Sequence, residues 1–184
     1  MVTIIPESDY KFPMTFATPG IYQFEKPIIF EDPGVCITVE SDDVAIIYDT
    51  VTFKFPQNYI PGSSELINGN LQMCFSIKNF NNFSLKGGFL YCDYPTNSLY
   101  TAGTLDARNC KNMIIDYPGS VGFPDLTIIN DCKNINISDH EFVHMKVNDT
   151  DKFRLVNCSV ETLEMHNVTR QEIDATYIGD LVMS

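Results

Sequence analysis

Two nearly identical strings, "RNCKNMII" at 108–115 and "NDCKNINI" at 130–137, constrain this chain more than any bulk property. Each places a polar bend of Asn, Asp or Lys around a Cys, followed by apolar residues spaced by two. Internal repeats of this kind are sought before secondary structure is assigned, because they fix the architecture. With Ile135 as the reference point, "FSIKNFNNFSL" aligns through Phe83, "LDARNCKNMII" through Met113, "MKVNDTDKFRL" through Phe153 and, more weakly, "LEMHNVTRQEI" through Gln171.

The aligned copies share one pattern. Two apolar or small positions come first: Phe75/Ile77, Leu105/Ala107, Thr127/Ile129, Met145/Val147 and Leu163/Met165. A short bend follows, then a second pair: Phe83/Leu85, Met113/Ile115, Ile135/Ile137 and Phe153/Leu155. Spacing by two is strand periodicity with one face turned inward. Asn and Asp suit the bend because they tolerate left-handed backbone angles and bond their own backbone. "ITVESDDVAII" at 37–47 is an earlier copy with a shorter bend and inward residues Ile37, Val39, Val44 and Ile46.

From Val44 the reference residues advance to Phe83, Met113, Ile135, Phe153 and Gln171, steps of 39, 30, 22, 18 and 18 residues. The last three suit single turns of a β-solenoid. The 30-residue step suits one coil with an insertion around "YPTNSLYTAG". The 39-residue step is two coils, or one with a long excursion through "PQNYIPGSSELINGN". No stretch keeps the helical spacing of apolar residues for several turns, so a helical repeat is disfavoured.

The bends carry their own signal. Asn82, Asn112 and Asn134 fall one before the reference residue, so stacked coils would set them above one another as an asparagine ladder. Amides so stacked hydrogen-bond from coil to coil. Phe80, Cys110, Cys132 and Thr150 form a second column, in which Cys110 and Cys132 read as small stacked core fillers.

These residues resemble the repeats of right-handed parallel β-helix proteins of the pectate-lyase type. "TPGIYQFEKPIIFEDPGVCITVESDDVAIIYDTVTF" looks like the usual opening of such domains, and the resemblance covers roughly 16–178. It implies an all-β fold: a single-stranded right-handed parallel β-helix of roughly six to seven coils. One domain is expected over 1–184, with an N-terminal cap at 1–30, coils over 31–178, insertions near 54–72 and 92–104, and a tail at 179–184. Such repeats occur in polysaccharide lyases and hydrolases, in surface proteins and tailspikes, and in proteins of large DNA viruses. Short Asn-rich chains of this type look most like the last group.

Composition narrows the chemistry. Net charge is −12, from 24 acidic and 12 basic residues, which argues against binding a phosphate backbone. The N-terminal segment lacks a basic region followed by an apolar run, and no apolar run is long enough for a membrane span, so neither secretion nor a membrane is expected. The six cysteines form no CxxC pair. Without a secretory signal they read as buried thiols.

"HEFVH" at 140–144 is a literal HExxH, the zinc-peptidase signature. That chemistry needs a helix, where residues four apart stand about 6 Å apart on one face. In a strand they span about 13 Å. The 18-residue interval from Ile135 to Phe153 leaves no length for a helix, and Phe142 reads as an inward strand residue. Asp42 and Asp149 sit in aligned bends several coils apart, too far for a catalytic carboxylate pair. Arg108, Arg154 and Arg170 are the only arginines, and none is visibly framed by acids. Sequons at Asn82, Asn136, Asn148, Asn157 and Asn167 read as idle, Asn82 because the ladder occupies it.

The expected function is therefore structural: a non-enzymatic assembly protein, a minor capsid or cement component of a virus particle. Its partners would be proteins such as capsid subunits. No catalytic residue, metal, cofactor, small-molecule ligand or nucleic acid is assigned, and the virion or host cytoplasm is the expected location. The alternative is a carbohydrate-binding or polysaccharide-cleaving β-helix protein, which an exposed row of Tyr91, Tyr94 and Tyr100 would support.

Overall fold

A computed structural model of the chain describes residues 1–31, 34–54, 72–88, 90–93, 102–116, 120–121 and 126–184. Every strand pair in it is parallel, and the strands stack into a β-solenoid. One eight-stranded sheet, the ladder sheet, runs through Val2–Ile5, Gly20–Phe24, Val44–Ile47, Asn81–Lys86, Lys111–Asp116, Lys133–Ser138, Asp151–Val156 and Glu172–Asp174. A second, the long-strand sheet, runs through Met14–Phe16, Val35–Val39, Gln72–Lys78, Ala102–Arg108, Leu126–Asn130, Glu141–Asn148, Ser159–His166 and Tyr177–Met183. A third wall of four strands, Ile28–Phe30, Val51–Lys54, Leu90–Asp93 and Ser120–Val121, lines only the N-terminal half.

The sequence alignment is the structural register. Phe75 pairs with Leu105, Leu105 with Thr127, Thr127 with Met145, Met145 with Leu163 and Leu163 with Leu181. Phe83, Met113, Ile135 and Phe153 stack likewise. The inward pairs named above are buried, so one continuous apolar core runs up the axis. Strand 81–86 pairs directly with strand 44–47, which settles the 39-residue step as one coil with a long excursion. That excursion, 55–71, and most of the second, 94–101, lie outside the described residues.

The third wall changes character along the axis. In the 18-residue coils it is built by the first residues of the long strands, where Phe142, Val160 and Ile178 are in register. Phe142 and Met145 both point inward although three residues apart, so the strand turns a corner between them.

The region expected as a cap contributes strands to all three sheets. Its aromatic rings cover the lower end of the core. Tyr10 packs edge-on to Phe24 at 5.3 Å and Phe12 edge-on to Phe30 at 5.8 Å. The Tyr10 hydroxyl donates to the Lys26 carbonyl and accepts from its N–H. At the other end, the segment expected as a tail runs as part of strand Tyr177–Met183 in the long-strand sheet.

Candidate functional site

The bends turn the chain by a fixed device. Asp43, Asn82, Asn112, Asn134, Lys152 and Arg170, each one before its reference residue, all have φ between 50° and 60°. That left-handed region penalises a Cβ except where a short polar side chain can bond locally, which is why Asn and Asp dominate here. The ladder forms as expected. Asn112 Nδ2 donates to Asn82 Oδ1 at 2.8 Å and Asn134 Nδ2 to Asn112 Oδ1 at 2.9 Å. Asp43 extends it downward by accepting from Asn82 Nδ2 at 2.7 Å.

Two further ladders escaped the sequence reading. Four before each reference residue stand Asn79, Asn109, Asp131, Asp149 and Asn167, again with positive φ. In this column Asn109 Nδ2 donates to Asn79 Oδ1 at 2.9 Å and Asn167 Nδ2 to Asp149 Oδ1 at 2.7 Å. At the opposite corner of the narrow coils, Asn157 Nδ2 donates to Asp139 Oδ1 at 2.6 Å. The aligned Asn and Asp columns were the available signal. Three of the five sequon asparagines, Asn82, Asn157 and Asn167, therefore spend their carboxamide nitrogens on the coil below.

Small side chains beside these residues finish the corners. Cys110, Cys132, Thr150, Cys158 and Thr176 each donate to the carbonyl two residues earlier, at 2.8–3.3 Å. All five described cysteines are buried thiols outside any disulfide. The Cys92 side chain lies outside the described residues. The neighbouring Cys110 thiol, then burial, pushes the Cys132 thiol up, so it stays protonated. A neutral, buried thiol is a structural one.

"HEFVH" lies within and just before strand Glu141–Asn148, not on a helix. His140 is buried with its ring edge-on to Phe142 at 4.0 Å, and Phe142 points inward as expected. His144 faces outward and meets Glu164 of the next coil at 2.6 Å. The two imidazoles thus serve different faces of the wall. Glu164 also receives Lys146 at 3.3 Å; the bond to His144, then that to Lys146, holds its carboxyl below the usual range.

The candidate carboxylates are architectural too. Asp42 accepts from the Asn81 N–H at 2.6 Å, and Asp149 serves the second ladder. The arginines correct the sequence expectation, because all three are framed by acids. Arg108 meets Asp106 at 2.7 Å, Arg154 meets Glu172 at 3.0 Å, and Arg170 grips Asp151. Two of these acids stand a coil away, 18 or 19 positions in sequence, where local inspection does not look.

Two features remain as surfaces. A groove of about 420 Å³ on the outer face of the long-strand sheet is lined by Thr38, Glu40, Ser76, Lys78, Asn79 and Phe80, among others. On the last described strand, Tyr177–Met183, Leu181 and Met183 are exposed. Tyr91 is exposed, whereas Tyr94 and Tyr100 lie outside the described residues.

No family model matches the chain. No curated protein and no solved structure matches it either. The functional reading therefore rests on the geometry.

Proposed function

We propose that the protein is a non-enzymatic assembly component, a rigid solenoid that joins protein partners in a larger structure. The carrying observation is the use to which the polar side chains are put. The Asn, Asp, Cys and Arg groups that would be the obvious chemical candidates bond between or within coils. A stack held this way is stiff along its axis, and among the described residues nothing pairs with the outer edge of strand Tyr177–Met183, the kind of edge that pairs with another chain. A minor capsid or cement protein of a virus particle, within the virion or host cytoplasm, is the setting that the pectate-lyase-type resemblance favours. Size analysis and cross-linking of the protein in its native source test this. Incorporation into a large complex is the expected result, and a persistent monomer that joins nothing would sink it.

The groove beside Ser76 favours one second reading, carbohydrate binding. Its volume is within the usual range of about 300–1,000 Å³ for ligand pockets. It combines an aromatic ring, hydroxyls, a carboxylate and an amide, the groups that recognise sugars. Asp106 beside it is engaged by Lys78 at 3.2 Å and by Arg108 at 2.7 Å. Screening on a glycan array, repeated with Phe80→Ala, decides this reading, and silence on the array removes it.

A further inference from the structure

We infer that the outer edge of strand Tyr177–Met183 is a docking edge for an extended, basic strand of a partner protein. This rests on the assembly reading above and names the surface that performs it. Strand Tyr177–Met183 is the last in its sheet, and among the described residues nothing pairs with its outer edge. Leu181 and Met183 continue the inward column of Leu163 and Met165. The lower pair is 0% and 3% exposed, the upper pair 49% and 55%. Beside them is a cavity of about 340 Å³ lined by Met165, Asn167, Val168, Gln171, Met183 and Ser184.

The backbone shows which groups are on offer. The Ser184 N–H donates to the Met165 carbonyl, and the Ser184 carbonyl accepts from the Asn167 N–H. Residue 184 thus faces the coil below. The alternation of a parallel ladder turns the N–H and C=O groups of Leu181 and Met183 to the free edge. Asn167 Nδ2 is spent on Asp149, while its Oδ1 tops the ladder as an acceptor. The devices that normally blunt an exposed edge, lysine and proline, are missing from 171–184.

Charge selects the occupant. Residues 167–184 hold Glu172, Asp174 and Asp180 against one base, Arg170; Arg170 is bound to Asp151 and Glu172 to Arg154, which leaves Asp174 and Asp180 to face a partner. Two copies meeting end to end would set Asp174 and Asp180 near their own equivalents, which costs energy. A strand alternating apolar and Lys or Arg residues instead covers the apolar column, pairs the backbone and meets the carboxylates. This is strand addition, in which main-chain bonds give affinity and alternate side chains give specificity.

The test titrates the full chain with a short synthetic peptide of alternating lysine and valine, and with its glutamate–valine counterpart. Amide exchange is read over 177–183. The basic peptide is expected to bind at least about tenfold more tightly, a difference of about 1.4 kcal/mol, and to protect the amides of 181 and 183. Met183→Pro removes a free-edge N–H and no described in-sheet bond, so it should weaken binding by about tenfold with an unchanged unfolding midpoint. Met183→Val keeps the N–H and should bind like the parent. Equal binding of the two peptides, or protection elsewhere, overturns the inference. So does protection that rises with protein concentration alone, which would give the edge to a second copy. If the protein enters large assemblies in its source while 177–183 stays unprotected, the assembly reading stands and this surface falls.

Discussion

The two halves of the solenoid solve the same closure problem with different chemistry. In the wide N-terminal coils a third sheet completes the wall, and aromatic rings fill the enlarged cross-section. Phe30 meets Phe53 edge-on at 5.6 Å, and Tyr48 packs on Phe75 at 5.7 Å. In the narrow C-terminal coils the long strands bend to make that wall, and corners of Asp139, Asn157 and Ala175 in left-handed backbone bring the chain round. Phe142, Val160 and Ile178, in register from coil to coil, stand in that bent part of the wall. A wide coil tolerates insertions because its walls are independent strands, whereas an 18-residue coil has nowhere to insert.

The corners show the contrast most directly. A Cβ on Gly88 would lie 1.8 Å from the backbone carbonyl oxygen of Asp49. One on Gly179, at the upper edge, would lie 2.7 Å from the Glu161 oxygen. Gly88→Ala should therefore cost on the order of 4 kcal/mol or more, the range reserved for a specific structural break, and yield little folded protein. Gly179→Ala should cost about 1 kcal/mol, because an edge strand can shift. Urea midpoints compare them, and equal losses would show that the two halves close alike.

The core fillers should differ next. Phe53→Ala removes a fully buried ring and should cost about 3–5 kcal/mol. Cys158→Ala removes one sulfur and a weak bond to the Val156 carbonyl, and should cost about 1 kcal/mol. Chemical denaturation measures both, and comparable costs would deny that the aromatic rings carry the wide half.

The main ladder joins the halves and then stops. Asn134 is its top rung, and Lys152 takes the next left-handed position with φ 57°. Asn112→Ala, in mid-ladder, should cost about 1–3 kcal/mol, since it removes two amide bonds and leaves an unsuited Cβ conformation. Lys152→Asn should stabilise by about 1 kcal/mol, by relieving the left-handed strain and donating to Asn134 Oδ1. A neutral or destabilising Lys152→Asn would mean that the ladder contributes no cohesion beyond its backbone.

Strand order and register were legible in the sequence because burial imposes a period of two and stacking imposes a coil length. Phe75, Leu105, Thr127, Met145 and Leu163 align in the string as they do in space. The main ladder was legible for the same reason. The ion pairs were not, since Arg154 and Glu172 are remote in sequence and adjacent only after the coil length is known. The open edge at 177–183 was hidden because its residues look like any other inward and outward alternation. What distinguishes them is the coil that the described structure does not place above.

Where the ladder ends, charge replaces amides, and that substitution is testable by pH. Arg170, which follows Lys152 in the left-handed column of the main ladder, reaches Asp151, which also accepts from Thr169 Oγ1 at 2.8 Å. The Arg170 bond, then that of Thr169, holds the Asp151 carboxyl down at about 2. An unfolded Asp titrates near about 3.9. The folded value is the depressed one, so the contribution is complete above about pH 4 and is lost as pH falls toward about 2. The pair is exposed, so the effect should be the smallest of these and should fade in salt. Urea midpoints of the parent and Arg170→Gln should differ slightly at pH 6 and converge by pH 2. A gap that persists at pH 2, or that ignores salt, would mean that Arg170 holds the last coil by packing and not by its charge.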